Sequence, residues 1–414
     1  MMHTHSTVAV LDFGSQYTQL IARRIREQNV YSEILPHTLS VDEIRRKKVE
    51  AIILSGGPSS VYAEGSPQLD EKILEEGIPV LGICYGLHLL IAHSGGMVQH
   101  KGQGEYGFST IQSNGGSPLF QEVNDSTRVW MSHGDEIDSL GEGYEIIARS
   151  SNDIVAAIQH REKPIYGVQF HPEVAHTSEG KTIISNFLFK VANCSADWTA
   201  ANFVSESVET IRQQVGKKGR VITGLSGGVD SSVVGTLLHR AIGERSTCVF
   251  IDHGLLRKDE ASQVMGSLKD GLGLNIQKHD YAQNFLDGLK GVTDPERKRK
   301  IIGEKFIRAF EKAAGENESA EFLAQGTLYP DVIESGGSAL GPAVTIKSHH
   351  NVGGLPEDME FELIEPIRDL FKDEVRKVGR ELGLPDFVLQ RHPFPGPGLA
   401  VRILGEITSE YLNI

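Results

Sequence analysis

Cysteine is scarce in this chain of 414 residues, and the three that occur, Cys84, Cys194 and Cys248, are too scattered for a disulfide framework or a zinc cluster. That scarcity fits a reducing compartment, and a cytoplasmic protein is expected. Long hydrophobic runs are lacking as well. No apolar stretch approaches the roughly eighteen residues of a spanning helix, and residues 1–6 carry His3 and His5 but no apolar segment. The expectation is a protein neither secreted nor membrane-spanning. Positive charge is in deficit, with 41 Lys and Arg against 55 Asp and Glu and a net charge of −14. Nucleic acid and acidic membranes demand concentrated positive charge, so neither is expected as a partner. A phosphorylated metabolite needs only a local basic pocket. The one basic run, Arg297-Lys298-Arg299-Lys300, reads as a solvated helix face or a phosphate lid.

What is present is enough apolar residue, 39%, and enough length for two domains with a remnant of a third. The most informative stretch is Ser226-Gly227-Gly228-Val229-Asp230-Ser231-Ser232, between the apolar run 221–225 and the helical pattern Val233, Val234, Leu237, Leu238. Strand, loop and helix follow in that order. Paired glycines let backbone N–H groups approach phosphate oxygens, the serines add hydroxyl donors, and the helix presents its positive end. No lysine for the β- and γ-phosphates is present, and Asp230 stands in the loop instead. A carboxylate that binds magnesium suits release of pyrophosphate. The loop resembles that of the ATP pyrophosphatase family, whose members adenylylate a substrate oxygen and expel AMP.

In the first two hundred residues, 8–11 and 51–54 read as buried strands, with Tyr17, Leu20, Ile21 and Ile25 at helical spacing between them. The second strand runs into Ser55-Gly56-Gly57-Pro58, where backbone N–H groups can face an oxyanion. A third apolar strand ends in Gly82-Ile83-Cys84-Tyr85-Gly86 and a helix follows, which is a nucleophile elbow with cysteine in place of serine. A further strand delivers His171 and, two residues later, Glu173. Thiolate, imidazole and orienting carboxylate are the parts that cysteine catalysis needs. These residues resemble a class I glutamine amidotransferase domain, which implies Cys84, His171 and Glu173 as catalytic, Gly57 and Tyr85 as backbone oxyanion donors, and ammonia released from glutamine. Gly104-Glu105-Tyr106-Gly107 and Ser132-His133-Gly134-Asp135 match further segments of that family, and the latter is implied to lie near the charged ends of bound glutamine. Where the family carries a glutamine after the elbow, this chain has His88.

Helical spacing resumes at Val204, Val208, Ile211 and Val215, and a strand over 247–251 leads to Asp252-His253-Gly254, where the family more often shows asparagine for His253. By resemblance that segment lies beside the adenine and ribose. The segments around Asp331, Lys347, Arg368 and Lys372, with Arg391-His392-Pro393-Phe394-Pro395-Gly396, extend the likeness to the family of glutamine-hydrolysing GMP synthetases across essentially the whole chain. Asp331 joins Asp230 as a candidate magnesium ligand, and Lys347, Arg368 and Lys372 offer charge to a phosphate. The resemblance implies glutamine, ATP and xanthosine 5'-monophosphate (XMP) as substrates and Mg²⁺ with ATP. The expected fold is α/β, two domains each with an open, mostly parallel sheet flanked by helices: 1–198 a glutaminase, 199–391 an ATP pyrophosphatase of adenine-nucleotide α-hydrolase type. Residues 392–414 then read as the start of a truncated dimerisation domain, since the family pairs as a homodimer and Ile407, Tyr411, Leu412 and Ile414 form an apolar stripe on no completed core. The alternative on that reading is a remnant that binds ATP without full synthetase activity.

Overall fold

Val8, Ala9, Val10 and Leu11 are fully buried, as a central strand covered on both faces requires, and they form β1 (Thr7–Asp12). The computed structural model describes residues 5–316, 320–334, 361–391 and 396–412, and it divides the chain into one unit ending at Thr199 and another beginning at Ala200. In the first unit β1 is followed by α1 (Thr18–Arg26), β2 (Tyr31–Pro36), α2 (Val41–Lys47), β3 (Val49–Leu54), β4 (Val80–Ile83) and α3 (Tyr85–His93). Then come β5 (Met97–Ser113), β6 (Ser126–Ser139), β7 (Tyr144–Ser150), β8 (Val155–His160), β9 (Ile165–Val168) and α4 (Gly180–Asn186). They form one nine-stranded sheet in the order β2-β1-β3-β4-β9-β8-β7-β5-β6. Its first five strands are parallel, and the rest run antiparallel as an extension.

Local chemistry accounts for the helix ends and faces. Ser40 and Glu43 form a reciprocal capping box at the start of α2, and Lys48 closes it in the left-handed conformation. Helix α3 buries every residue from Tyr85 to Ile91, so it lies in the core rather than on it. Trp198 closes this unit. Its backbone N–H donates to the Asn29 carbonyl at 2.9 Å, and the Arg26 guanidinium lies 4.9 Å from its ring.

The second unit opens with α5 (Ala200–Val215), whose buried residues Val204, Val208, Ile211 and Val215 are those at helical spacing. It continues through β10 (Val221–Gly224), α6 (Val229–Ile242), β11 (Ser246–Asp252), α7 (Glu260–Val264), β12 (Ile276–Asp280), α8 (Ala282–Leu289) and α9 (Pro295–Gly315). The last labelled elements are β13 (Phe322–Ala324), α10 (Tyr329–Glu334), β14 (Glu362–Ile364) and α11 (Lys372–Glu381). All five strands are parallel, in the order β12-β11-β10-β13-β14.

Two expectations change here. Ile407 does not sit on an unfinished core: it is buried with Phe310 and Ala400, and Leu412 packs against that cluster. Tyr411 is exposed, and Ile414 lies outside the described residues. The basic run is not uniformly solvated either. Lys298 is fully buried on α9, and its ammonium donates to the carbonyls of Ala400 at 3.1 Å and Ile403 at 2.8 Å. An ammonium with two carbonyl partners fixes the segment beyond residue 396 to α9, because withdrawing either partner strands a buried polar group.

Candidate active sites

In the first unit the loops after β1, β3, β4 and β9 meet at the carboxyl ends of the parallel strands, where open α/β sheets bind ligands. Cys84 joins β4 to α3 with φ +51° and ψ −101°, a conformation that costs a non-glycine residue about 1–3 kcal/mol. The neighbouring glycines make the turn possible. A Cβ on Gly82 would stand 2.6 Å from the Gly86 carbonyl carbon, and one on Gly86 would stand 2.5 Å from the Leu54 carbonyl oxygen. The Cys84 N–H donates to the Val168 carbonyl at 2.8 Å, which ties the elbow to the end of β9.

His171 follows β9 and faces Cys84. Its Nδ1–H donates to Glu173 Oε1 at 2.7 Å, its backbone N–H donates to the Trp130 carbonyl at 3.0 Å, and Thr177 Oγ donates to its carbonyl at 2.6 Å. Burial works against a charged ring. Hydrogen bonds with Cys84 and Glu173, and the negative charge of both, outweigh that and push the His171 pKa up to about 10. Glu173 is fully buried, and Arg24 Nε donates to its backbone carbonyl at 2.8 Å.

The expected oxyanion donors are also brought together. Gly57 packs so closely on Tyr85 that a Cβ would stand 3.1 Å from the ring and 2.9 Å from the Phe13 carbonyl oxygen. Tyr85 opens α3, where a backbone N–H has no intrahelical acceptor. Both residues line a cavity of about 610 Å³ with Cys84, His171, Tyr17 and Asp135. His133 also lines it, with Nδ1 2.9 Å from the Asp135 carbonyl and Nε2 3.7 Å from Glu105 Oε2. Three contributors escape sequence reasoning. The loop Gly14–Tyr17 walls the cavity, Tyr17 sets its ring edge-on to His171 at 5.2 Å, and Gln169 Nε2 approaches Cys84 Sγ at 3.8 Å. Gln169 was signalled only by its place two residues before His171.

In the second unit the loop Ser226–Ser232 joins β10 to α6. Gly227 holds φ +71°, a conformation that favours glycine. The serines bond the loop to itself: the Ser226 N–H donates to Ser231 Oγ at 3.1 Å, and Ser231 and Ser232 hydroxyls donate to the Gly228 carbonyl at 3.1 and 2.8 Å. Asp230 Oδ2 pairs with the ammonium of Lys372, and Arg368 pairs with Glu365. Asp331 Oδ2 instead accepts the Leu328 N–H at 3.0 Å at the start of α10. Lys347 lies outside the described residues, as do residues 392–395. Among the described residues no three His, Cys, Asp or Glu side chains are grouped to hold a metal ion.

His253 is buried, and burial pushes its pKa down. Its neutral Nδ1 accepts the Leu255 N–H at 3.1 Å. Arg391, whose role no local pattern marks, spans 164 residues to reach the loop. Its guanidinium donates to the Gly227 carbonyl at 3.0 Å and to Glu260 Oε1 at 2.7 Å.

Comparison with known proteins places both sites in one lineage. The family profile of class I glutamine amidotransferases matches residues 9–191, and that of NAD synthase matches residues 203–301. The second match spans the Ser226–Ser232 loop and His253. GMP synthase [glutamine-hydrolyzing] of Clostridium novyi is 55% identical, over 98% of this chain and 79% of its own length. The enzymes of that name from Thermobifida fusca and Bacillus cereus are 54% and 53% identical, over 99% and 100% of this chain and 79% and 80% of their own lengths. Since these relatives run through the cysteine elbow and the nucleotide loop alike, the chain belongs to the family of glutamine-hydrolysing GMP synthases.

Proposed function

We propose that this chain makes GMP from XMP, with glutamine as nitrogen donor and ATP cleaved to AMP and pyrophosphate. The observation that carries the reading is Cys84, held at positive φ between β4 and α3 against a His171–Glu173 pair on the neighbouring strand end. In this mechanism the Cys84 thiolate attacks the side-chain carbonyl carbon of glutamine. The oxyanion faces the Gly57 and Tyr85 N–H groups. His171 hands its proton to the departing nitrogen, which leaves as ammonia, and water hydrolyses the thioester to glutamate and restores the thiolate. Glu173 holds the imidazole by its Nδ1–H and balances the charge it carries.

In the second unit the C2 oxygen of XMP attacks the α-phosphorus of ATP, pyrophosphate departs, and ammonia displaces AMP at C2. The Ser226–Ser232 loop with the N-terminus of α6 cradles phosphate oxygens. Magnesium fits this site through Asp230, whose buried Oδ1 has no hydrogen-bond partner among the described residues while Oδ2 pairs with Lys372. One or two carboxylates suffice, because Mg²⁺ bound to ATP takes most ligands from phosphates and water. Bound there, the ion would neutralise charge on the departing pyrophosphate. Lys372 and Arg368 supply further positive charge. Cytoplasmic placement and homodimer formation belong to the same proposal. No helix among the described residues is long and apolar enough to cross a membrane, and the three cysteines are free and buried.

The test follows the nitrogen. Glutamine labelled with ¹⁵N in its amide, supplied with XMP, ATP and Mg²⁺, should give ¹⁵N-labelled GMP with one AMP per GMP. Release of ADP, or GMP formed without label, would sink the reading.

A further inference from the structure

Cys84 has a second side-chain neighbour besides His171, and it belongs to a chain of two bonds. Gln169, fully buried on the residue after β9, directs its Nε2 at Cys84 Sγ at 3.8 Å. Its Oε1 lies 2.8 Å from His88 Nε2, one turn into α3. A carboxamide oxygen only accepts, so His88 must carry its proton on Nε2 and donate. That bond decides which way the amide points. With Oε1 held by His88, the NH₂ end faces the sulfur, and a flipped amide would set its N–H against the His88 Nε2–H and an oxygen lone pair against the sulfur.

The direction matters because the sulfur has opposing neighbours. The Ser132 carbonyl, 3.7 Å from Sγ, can only accept and so favours the thiol. An N–H donor favours the thiolate. Burial keeps His88 neutral near pH 7 by pushing its pKa down to about 4, so it directs Gln169 without adding a second positive charge beside His171.

We propose that Gln169 is a donor to the Cys84 thiolate and that His88 is the positioning residue that aims it, the imidazole serving where the family carries an amide. The inference rests on Cys84 being the glutaminase nucleophile. Gln169 touches the reacting atom, whereas His88 acts only through Gln169. A hydrogen bond to a charged sulfur, long at 3.8 Å, lies at the weak end of such bonds, and its loss at a reacting atom is expected to cost roughly tenfold in rate.

Two readouts are needed, glutaminase kinetics and the rate at which iodoacetamide labels Cys84. Labelling is selective because burial pushes both other cysteines, Cys194 and Cys248, up to about 12. His88→Leu should lower kcat and labelling about tenfold while KM for glutamine stays within about threefold, and His88→Gln should restore both to within about threefold. Gln169→Leu should match His88→Leu, and the double variant should be no worse than either single one. Losses that multiply in the double variant, a His88→Gln protein as slow as His88→Leu, or unchanged labelling would each overturn the proposal. Should leucine unfold either protein, Gln169→Glu decides. It keeps the acceptor for His88 but turns a carboxylate toward the sulfur, so labelling must slow by about tenfold or more, and an unchanged rate refutes the inference. The underlying reading fails separately, if glutamine does not protect Cys84 of the parent protein from labelling.

Discussion

In the first unit the charged and polar groups around Cys84, the proposed nucleophile, already point at its sulfur, whereas in the second they point at one another. Cys84 is flanked by His171 and Gln169, and Glu173 stands behind His171, all of them buried. The nucleotide loop instead satisfies its own N–H and C=O groups with Ser226, Ser231 and Ser232, while Asp230, Arg368 and Arg391 are paired with Lys372, Glu365 and Glu260. The difference follows from the chemistry. A protein nucleophile must be activated before substrate arrives, so its partners are fixed in advance. A nucleotide brings its own charge, and internal ion pairs keep cationic and anionic groups in place until phosphates and metal exchange with them.

The sharpest break of that comparison is Cys84→Ala. Glutamine-dependent GMP formation should fall by about 10⁴-fold or more, while synthesis from high ammonium is spared. Both donors are assayed side by side, and equal loss with each would show that the two sites do not divide the labour.

Glu173→Gln should cost glutaminase roughly 10²–10⁴-fold, because the ring loses the carboxylate that holds and charges it. The same variant has a signature in stability. The folded pKa of His171, about 10, is raised above its ordinary value, so its contribution is complete below about pH 6.5 and is lost as pH rises through about 10. Removing the Glu173 charge lowers that folded pKa. Melting curves from about pH 6 into the alkaline range should therefore show the loss of stability beginning at the same pH in both proteins but levelling off at lower pH, with a smaller total, in the variant than in the parent, and coincident curves would refute the assignment.

In the second unit, Asp230→Asn keeps the shape but removes the charge, and ATP–pyrophosphate exchange should fall about 100-fold with glutaminase within about twofold. An equal loss in both assays would contradict the separation of sites. Arg391→Ala removes the clamp on the Gly227 carbonyl and leaves Glu260, 4% exposed as a side chain, without its partner. Exchange kinetics should show KM for ATP about tenfold higher, and denaturant melts should show the second unit weakened by about 3 kcal/mol. A weaker fold with unchanged KM would mean that Arg391 supports only the packing.

The sequence was legible where bonds are local. Gly82 and Gly86 stand two residues either side of Cys84, Glu173 stands two after His171, and the serines close the nucleotide loop within six residues, so spacing alone reveals each device. Bonds closed by topology were not legible. The His88 ring meets Gln169 across 81 residues, Lys298 reaches Ala400 across 102, and Arg391 reaches Gly227 across 164. Lys298 even reads as surface, because three of the four residues in its basic run are exposed. Nothing in composition distinguishes the lysine that turns inward from its neighbours.

His253 tests where local legibility ends, and its predicted effect is the smallest. Its ring nitrogen Nδ1 accepts the N–H two residues on, the bond that an asparagine Oδ1 makes in an Asx turn. The rest of the ring packs on Phe285, with centroids 5.6 Å apart. His253→Asn keeps the acceptor and gives up part of the ring contact. Exchange activity should stay within about threefold, and stability should fall by no more than about 1 kcal/mol. His253→Leu keeps apolar volume but orphans the buried Leu255 N–H, so it should destabilise more than asparagine does, by about 1–3 kcal/mol. Denaturant melts of the two variants rank the effects. An asparagine variant less stable than the leucine one would show that the ring contact, and not the turn, is what His253 contributes.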